Sequence, residues 1–131
     1  MDIGRIPEII AQDDEIATIP SILDKKGNPY LGPDGQPCTI GVYGSESKAA
    51  KRAKRVEFKK MQQLHGKMDS DDYELSRVEK AAAHVAEWTG WESDRQLAAC
   101  TPANVKALLE AEHILAQVEA GIAKHALFLA R

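Results

Sequence analysis

In this 131-residue sequence, histidines and cysteines are among the side chains that could hold a metal ion or attack a substrate. Their spacing favours neither role. The four histidines form no HExxH or His-x3-His pair, the helical spacing that puts two ligands on one face. Cys38 and Cys100 have no CxxC partner and no histidine close by in sequence, so we expect two reduced thiols. We therefore expect neither a metal site nor a cofactor.

Serine nucleophiles and paired carboxylates are no better supported. The sequence has no GxSxG motif, and the glycines of GNPYLGPDG are typical of turns rather than of a phosphate-binding loop. The acid pairs Asp13-Asp14 and Asp71-Asp72 are expected to be solvated or to cap helices instead of performing acid-base chemistry. We expect no catalytic residue and a protein that is not an enzyme.

The strongest charge feature is a basic segment between two acidic ones. Residues 1–46 carry eight acids and three bases, residues 47–68 eight bases and one acid, and residues 69–131 eleven acids and six bases. A dense cationic face could neutralise phosphates of a nucleic acid. Base recognition usually adds Asn, Gln or stacking aromatic side chains, however, and Phe58 is the one aromatic residue of the basic segment. A solvated or protein-binding face is therefore favoured over nucleic acid.

Hydrophobic spacing assigns these bases to the polar face of an amphipathic helix over residues 46–65. A serine at position 45 or 47 can cap this helix, and Gly66 can end it. Its apolar arc holds Ala49, Ala50, Ala53, Val56, Met61 and Leu64. Phe58 is an exception at the edge of the charged face, and it either packs under another part of the fold or contacts a partner.

The elements around this helix predict an α+β fold, mainly α, with an N-terminal β-hairpin packed on a bundle of about four helices. ATIPSIL is rich in β-branched residues, CTIGVY alternates apolar and polar positions, and two turn sequences, DKKGNP and GPDGQP, separate them. We assign residues 17–44 to the hairpin and 46–131 to the helices of a single domain. Residues 1–16 lack sustained periodicity and are expected to form a flexible arm.

Three further helical segments follow the basic one. An apolar stripe with acids at its start predicts a helix over 71–88, with His84 beside the stripe and donating to a backbone carbonyl. Thr101-Pro102 is a strong start signal for the next helix. The apolar stripe rotates after Glu110, which predicts a bend or two successive helices there. No apolar run reaches the ~20 residues of a membrane-spanning helix.

The order of these features resembles the tail assembly chaperones of long-tailed bacteriophages, over about residues 17–130. That family is similar in having a hairpin with an Asp-x-x-Gly turn, a strand that ends at a Gly followed by a Ser, and a basic helix. It is also similar in having a Gly-Trp corner and a helix that starts with Thr-Pro-x-Asn. The matching positions are Asp24, Gly27, Gly44, Ser47, Trp91, Thr101, Pro102 and Asn104. The chain departs from the family in the extra GPDGQP turn and in AEHIL, where members often carry Pro or Trp.

The resemblance implies a non-catalytic helper in the cytoplasm of the bacterial host that is absent from the mature virion. Such a protein binds the long helical tape measure protein and promotes assembly of the tail tube around it. It also implies a tail tube protein as a partner, recruited through a longer frameshifted form. The segregated charges are compatible with self-association, in which the basic segment of one copy meets an acidic segment of the next.

For the partner-binding surface we predict the basic face together with the apolar stripe of the last helix. The residues are Lys51, Arg55, Phe58, Lys59, Ile114, Val118 and Ile122. An apolar helical stripe is usually core, and that interpretation of the last three stays open here. Two other functions also stay open, a structural virion component such as a minor tail or connector subunit, and a small nucleic-acid-binding phage regulator that uses helix 46–65.

Overall fold

The computed structural model describes residues 2–64 and 66–129, which form two antiparallel sheets and six α-helices. The strands are β1 (Ala17–Ile19), β2 (Thr39–Val42), β3 (Val85–Thr89), β4 (Glu92–Ser93) and β5 (Gln96–Leu97). The helices are α1 (Ile6–Asp13), α2 (Lys48–Gln63), α3 (Ser70–His84), α4 (Pro102–Leu109), α5 (Glu112–Ala123) and α6 (His125–Phe128). The predicted class, α+β and mainly α with an N-terminal hairpin, is confirmed.

The hairpin joins β1 to β2, with Ala17 opposite Val42 and Ile19 opposite Ile40. Its long connection folds back on itself through two isolated bridges, Leu23 with Pro29 and Leu31 with Pro37. Each of the two turns has its glycine, Gly27 or Gly35, at positive φ, where a Cβ would be strained. The two predicted turn sequences therefore build the elaborated tip of the hairpin.

A third strand replaces the end of the helix that was predicted over 71–88. α3 ends at His84, and β3 continues directly from it and pairs with β2, so that Trp88 lies opposite Ile40. β-branched and aromatic residues such as Val85, Trp88 and Thr89 suit a strand, and the pairing satisfies the backbone groups on the second edge of β2. The helix prediction over 85–88 is therefore wrong, because a long-range pairing outweighs the local periodicity.

The core lies between this three-stranded sheet and α3, α4 and α5. Ile22, Ile40, Val42, Leu109, Leu115 and Val118 are its largest fully buried apolar side chains. Trp88 and Trp91 border it and keep their indole N–H groups paired, with the carbonyls of Ala98 (2.8 Å) and Thr39 (3.2 Å). One continuous cluster thus ties the hairpin to the helices.

Helix boundaries largely follow the local signals in the sequence. Ser47 caps α2, and Thr101 caps α4 ahead of Pro102. α4 and α5 are separate helices that meet at residues 110–111, where the change of stripe predicted a bend or a break. α2 was predicted over 46–65 and spans Lys48–Gln63, and His65 lies outside the described residues.

The described part of the predicted arm, residues 2–16, contains a short 3-10 turn (Ile3–Arg5) and α1. Its last residues are tied to the start of α2. The Asp13 carbonyl accepts from the amide of Gly44 (2.9 Å), and the carboxylates of Asp13 and Asp14 accept from the amides of Glu46 (2.7 Å) and Lys48 (2.8 Å). The predicted flexibility of the arm stays a prediction.

Among the helices of the described residues, none combines the length and the hydropathy that crossing a membrane requires.

Gly121 offers a test of how α5 packs against the hairpin. A Cβ built at this position would overlap the Ile19 side chain, which is itself buried. We expect Gly121→Ala to lower the free energy of unfolding by about 1–2 kcal/mol, because overpacking outweighs the ~1 kcal/mol that Ala gains in helix propensity. Urea denaturation measures this change.

The matched control is Ile19→Val, which removes the methyl group that the new Cβ would meet and costs about 1 kcal/mol alone. The double variant should lose less stability than the sum of the two single variants. Strict additivity would show that the two positions do not touch.

Candidate partner-binding surface

α2 turns its predicted basic face to solvent. Lys51, Arg55 and Lys59 are exposed, and Phe58 beside them keeps 62% of its surface exposed. Positions 51, 55 and 58 are spaced by four and then three residues, so these side chains share one stripe of the helix. Phe58 is therefore not tucked under another described element, and its exposure needs another explanation.

The first half of α2 anchors the helix to the domain. The buried Ser47 Oγ accepts from the amide of Ala50 (3.1 Å), which satisfies one of the free donors of the first turn. Ala50 and Ala53 are the buried residues of the helix, and their small side chains allow α2 to approach α3 closely. Two long ion pairs, Glu57–Lys80 (3.7 Å) and Lys60–Glu79 (3.9 Å), run between the helices. Pairs this exposed contribute little stability.

The far end of the α2–α3 hairpin extends beyond the core. No described residue between positions 54 and 75 is buried, whereas the second half of α3 buries Ser76, Val78, Ala81 and His84. Four large apolar side chains over residues 58–75 are exposed, and we call them together the apolar tip. They are Phe58 (62% exposed), Met61 (37%), Tyr73 (58%) and Leu75 (49%). Exposed large apolar side chains among charged residues are typical of an interaction site.

Sequence reasoning identified one member of the apolar tip and missed three. Met61 was assigned to the packed arc of its helix and Leu75 to the apolar stripe of the next, and Tyr73 was not singled out. Both stripes are real, but the two helices are longer than the core that they cover. One signal in the sequence could have located the tip. No other predicted element is long enough to cover the C-terminal end of α2 and the N-terminal end of α3.

The prediction that Ile114, Val118 and Ile122 form a partner contact requires correction. Ile114 and Val118 are 4% and 0% exposed, and they belong to the core cluster. Ile122 is half-buried against the same cluster and lines a cleft between α2, α3 and α5. Ile114 and Val118 therefore reach no partner while the domain is folded. Among the predicted site residues, the structure leaves Lys51, Arg55, Phe58 and Lys59 exposed.

Arg77 fixes α3 on α5 near the base of the hairpin. Its guanidinium donates to both carboxylate oxygens of Glu112 (2.8 and 2.9 Å), and its Nε donates to those of Glu119 (3.0 Å each). These hydrogen bonds raise the pKa of Arg77 above its ordinary value, so the side chain stays charged. A two-sided bridge of this kind sets the orientation of the two helices.

His84 closes a cleft of about 390 Å³ between α2, α3 and α5. The imidazole is buried, and its Nδ1 lies 2.8 Å from the carbonyl oxygen of Lys80, the backbone bond that its position in the sequence predicted. Burial lowers the pKa of His84, and the positive charges of Lys80 and Lys54 act in the same direction. The neutral ring therefore donates from Nδ1 to Lys80.

A larger groove, of about 530 Å³, lies between α2, α3 and the start of α4. Its lining is mainly apolar and includes Ala53, Val56, Ala82, Val85 and Val105, with Arg52 and Lys106 at the rim. Cys100 lies at its edge as a free thiol. Partial desolvation and the charge of Glu87 raise the pKa of Cys100, so its sulfur is a poor nucleophile near neutral pH.

Within residues 2–64 and 66–129, no three His, Cys, Asp or Glu side chains come together in a way that could hold a metal ion. Comparisons of the chain with protein-family models, with curated proteins and with solved structures each found no match.

The depressed pKa of His84 has a consequence for stability. The unfolded chain binds a proton at His84 below about pH 6.5, while the folded chain holds the ring neutral to lower pH. The unfolded state then binds more protons, so the free energy of unfolding falls as pH decreases below that value. Urea midpoints of the wild type at pH 7.5 and 5.5 measure this fall.

The comparison variant is His84→Gln, which keeps a neutral donor but does not titrate. We expect it to be less stable than the wild type at pH 7.5 and to lose less on acidification. Equal losses in the two proteins would show that His84 does not contribute to the pH dependence.

Proposed function

We propose that this protein is a tail assembly chaperone of a long-tailed bacteriophage, which binds the tape measure protein in the host cytoplasm before the tail tube forms. The observation that carries the proposal is the apolar tip, four exposed apolar side chains on a helical hairpin with a basic outer face. This surface suits a long helical partner that is apolar along one side and acidic beside it.

Binding of such a partner would use the two kinds of side chain differently. Phe58 and Met61 lose exposed apolar surface on contact, and a large aromatic residue is the usual centre of the binding energy. Lys51, Arg55 and Lys59 stay at the rim, where charges mainly steer the encounter and select the orientation of the partner. A single site of this size binds weakly, and many copies along one rod would gain affinity by avidity.

The residues that carry the family resemblance have structural roles. Asp24 Oδ1 accepts from the amides of Lys26 (2.9 Å) and Asn28 (3.0 Å) in the first hairpin turn, and Gly27 has positive φ there. Asn104 donates from its side chain to the carbonyl of Ala99 (2.9 Å) beside the Thr101 cap. The resemblance therefore supports the proposal through the scaffold, while the apolar tip supports it through the surface.

The direct test is co-expression with the protein encoded by the longest reading frame just downstream. We expect that protein to be soluble only together with this chain, because its apolar side is otherwise exposed. In the variant Phe58→Ser/Leu75→Ser, the soluble yield of the partner should fall by roughly tenfold.

The matched control is Leu31→Ser, which removes an apolar side chain of similar exposure (59%) from the distant hairpin tip. It should leave the yield unchanged. The proposal fails if the tip variant rescues the partner as well as the wild type does, or if the chain is found in mature particles as a structural component.

Nucleic-acid binding is the second candidate, because six bases of α2 are exposed together. They are Lys48, Lys51, Arg52, Lys54, Arg55 and Lys59. This function requires duplex binding that weakens steeply between 50 and 200 mM salt, by roughly a thousandfold for several phosphate contacts. Reversing Lys51, Arg52, Lys54 and Arg55 to Glu would abolish that binding, and weak, salt-insensitive association in the wild type would exclude it.

A further inference from the structure

The N-terminal arm carries an apolar stripe that its own chain covers only at the end nearest the domain. Ile3, Ile6 and Ile10 follow one another at spacings of three and four residues, which puts them on one side. Ile3 is 84% exposed and Ile6 38%, and no residue of α1 is buried. A helix this short gains little stability from its own hydrogen bonds. Its apolar stripe is therefore the main source of binding energy in a contact with another surface.

The arm is held at one end. Its C-terminal residues Asp13 and Asp14 bind the amides before and at the start of α2, and a Cβ at Gly44 would lie only 2.6 Å from the Asp13 carboxylate carbon. The His125 ring adds a contact of 2.6 Å between its Nε2 and the carbonyl oxygen of Glu15. These contacts fix the C-terminal end of α1 on the domain, and they leave residues 2–8 exposed.

The groove between α2, α3 and α4 has the complementary properties. Its floor is apolar, with Val56 56% exposed, and none of residues 2–16 of the same chain lines it. Two acids border it, Glu57 and Glu79, and each lies within 4.0 Å of a lysine. Arg52 and Lys106 at its rim form no ion pair with another described side chain.

Charge favours the arm as the occupant of the groove. The part of the arm beyond its anchored end, residues 2–12, carries Asp2 and Glu8 against Arg5. The groove is lined by Arg52, Lys80 and Lys106 against Glu57 and Glu79. The apolar stripe of the arm and the apolar floor can therefore meet with opposite charges around them. The anchoring of Asp13 and Asp14 keeps α1 outside the groove of its own chain, whereas a second copy can approach freely.

We propose that the N-terminal arm of one copy docks in the α2–α3–α4 groove of another copy. The arm and the groove are different surfaces, so the contact is heterologous, and each copy can give its arm to one neighbour while it receives the arm of another. Such a contact builds linear assemblies. It leaves Phe58 free, because that residue does not line the groove. The inference needs no other protein and does not rest on the proposed function.

Sedimentation velocity of the full chain alone, over a wide range of concentration at low salt, tests the proposal. We expect a sedimentation coefficient that rises with concentration and falls again at high salt. In Ile3→Ser/Ile6→Ser the dissociation constant should rise by roughly tenfold or more, since the docked apolar surface is lost. The control Leu127→Ser removes a side chain of similar exposure (74%) and should associate as the wild type does.

The groove has its own variant, Ala83→Glu. Ala83 is exposed, lines the groove and lies in a helix, so an acid there puts a charge in the apolar floor that the arm would cover, without disturbing the core. Its control is Ala120→Glu, an exposed helical position outside the groove. Far-UV circular dichroism checks that each variant is folded.

Mixing the arm variant Ile3→Ser/Ile6→Ser with the groove variant Ala83→Glu gives the sharpest result. Each should be monomeric alone, because one lacks a working arm and the other a working groove. An equimolar mixture should form dimers that do not grow further, since one arm and one groove remain intact. A wild type that stays monomeric at every concentration, or defective variants that associate normally alone, would overturn the proposal whether or not a tape measure protein binds.

Discussion

Unequal burial of the α2–α3 hairpin is the constraint on which the other features of this protein depend. The second half of α3 packs into the core through Val78 and Ala81, and Ser47 and Ala50 hold the first half of α2 beside it. Beyond Ala53 in α2 and before Ser76 in α3, no described residue of the two helices is buried. The exposed tip, the groove at the base of α4 and the outward basic face all follow from a hairpin that is buried at one end.

Local signals accounted for much of the fold. Caps such as Ser47 and Thr101 act within one helical turn, so the sequence around them contains the information that fixes the helix start. β3 could not be found in the same way. Val85 and Trp88 fit the apolar stripe of a helix as well as they fit a strand, and the deciding factor is the free edge of β2, more than forty residues earlier in the chain.

The candidate surface shows the same division between local and long-range information. An amphipathic stripe looks alike whether it faces a core or a partner, so the sequence could not separate Val118, which is fully buried, from Leu75, which is half exposed. The isolated phenylalanine among bases was a more specific signal. Asp13 and Asp14 were expected to be solvated or to cap a helix, and Asp14 does bind the first amide of α2. Which helix it binds is long-range information, because α2 begins more than thirty residues later in the chain.

These surfaces fit together without competing for the same side chains. None of the four side chains of the apolar tip lines the groove, so a copy engaged with its neighbours can still present Phe58. Linear association and weak binding along a rod would then reinforce each other through avidity. The core keeps Ile114 and Val118 out of both contacts, which allows the domain to remain folded while it binds.

Amide hydrogen exchange of the chain, free and in complex with its co-expressed helical partner, tests the central claim most directly. We expect fast exchange over residues 56–75 in the free protein, slow exchange over the buried second half of α3, and new protection in the complex concentrated on 56–75. Protection confined to the β1–β2 hairpin, or a free protein in which 56–75 exchanges as slowly as the core, would contradict it.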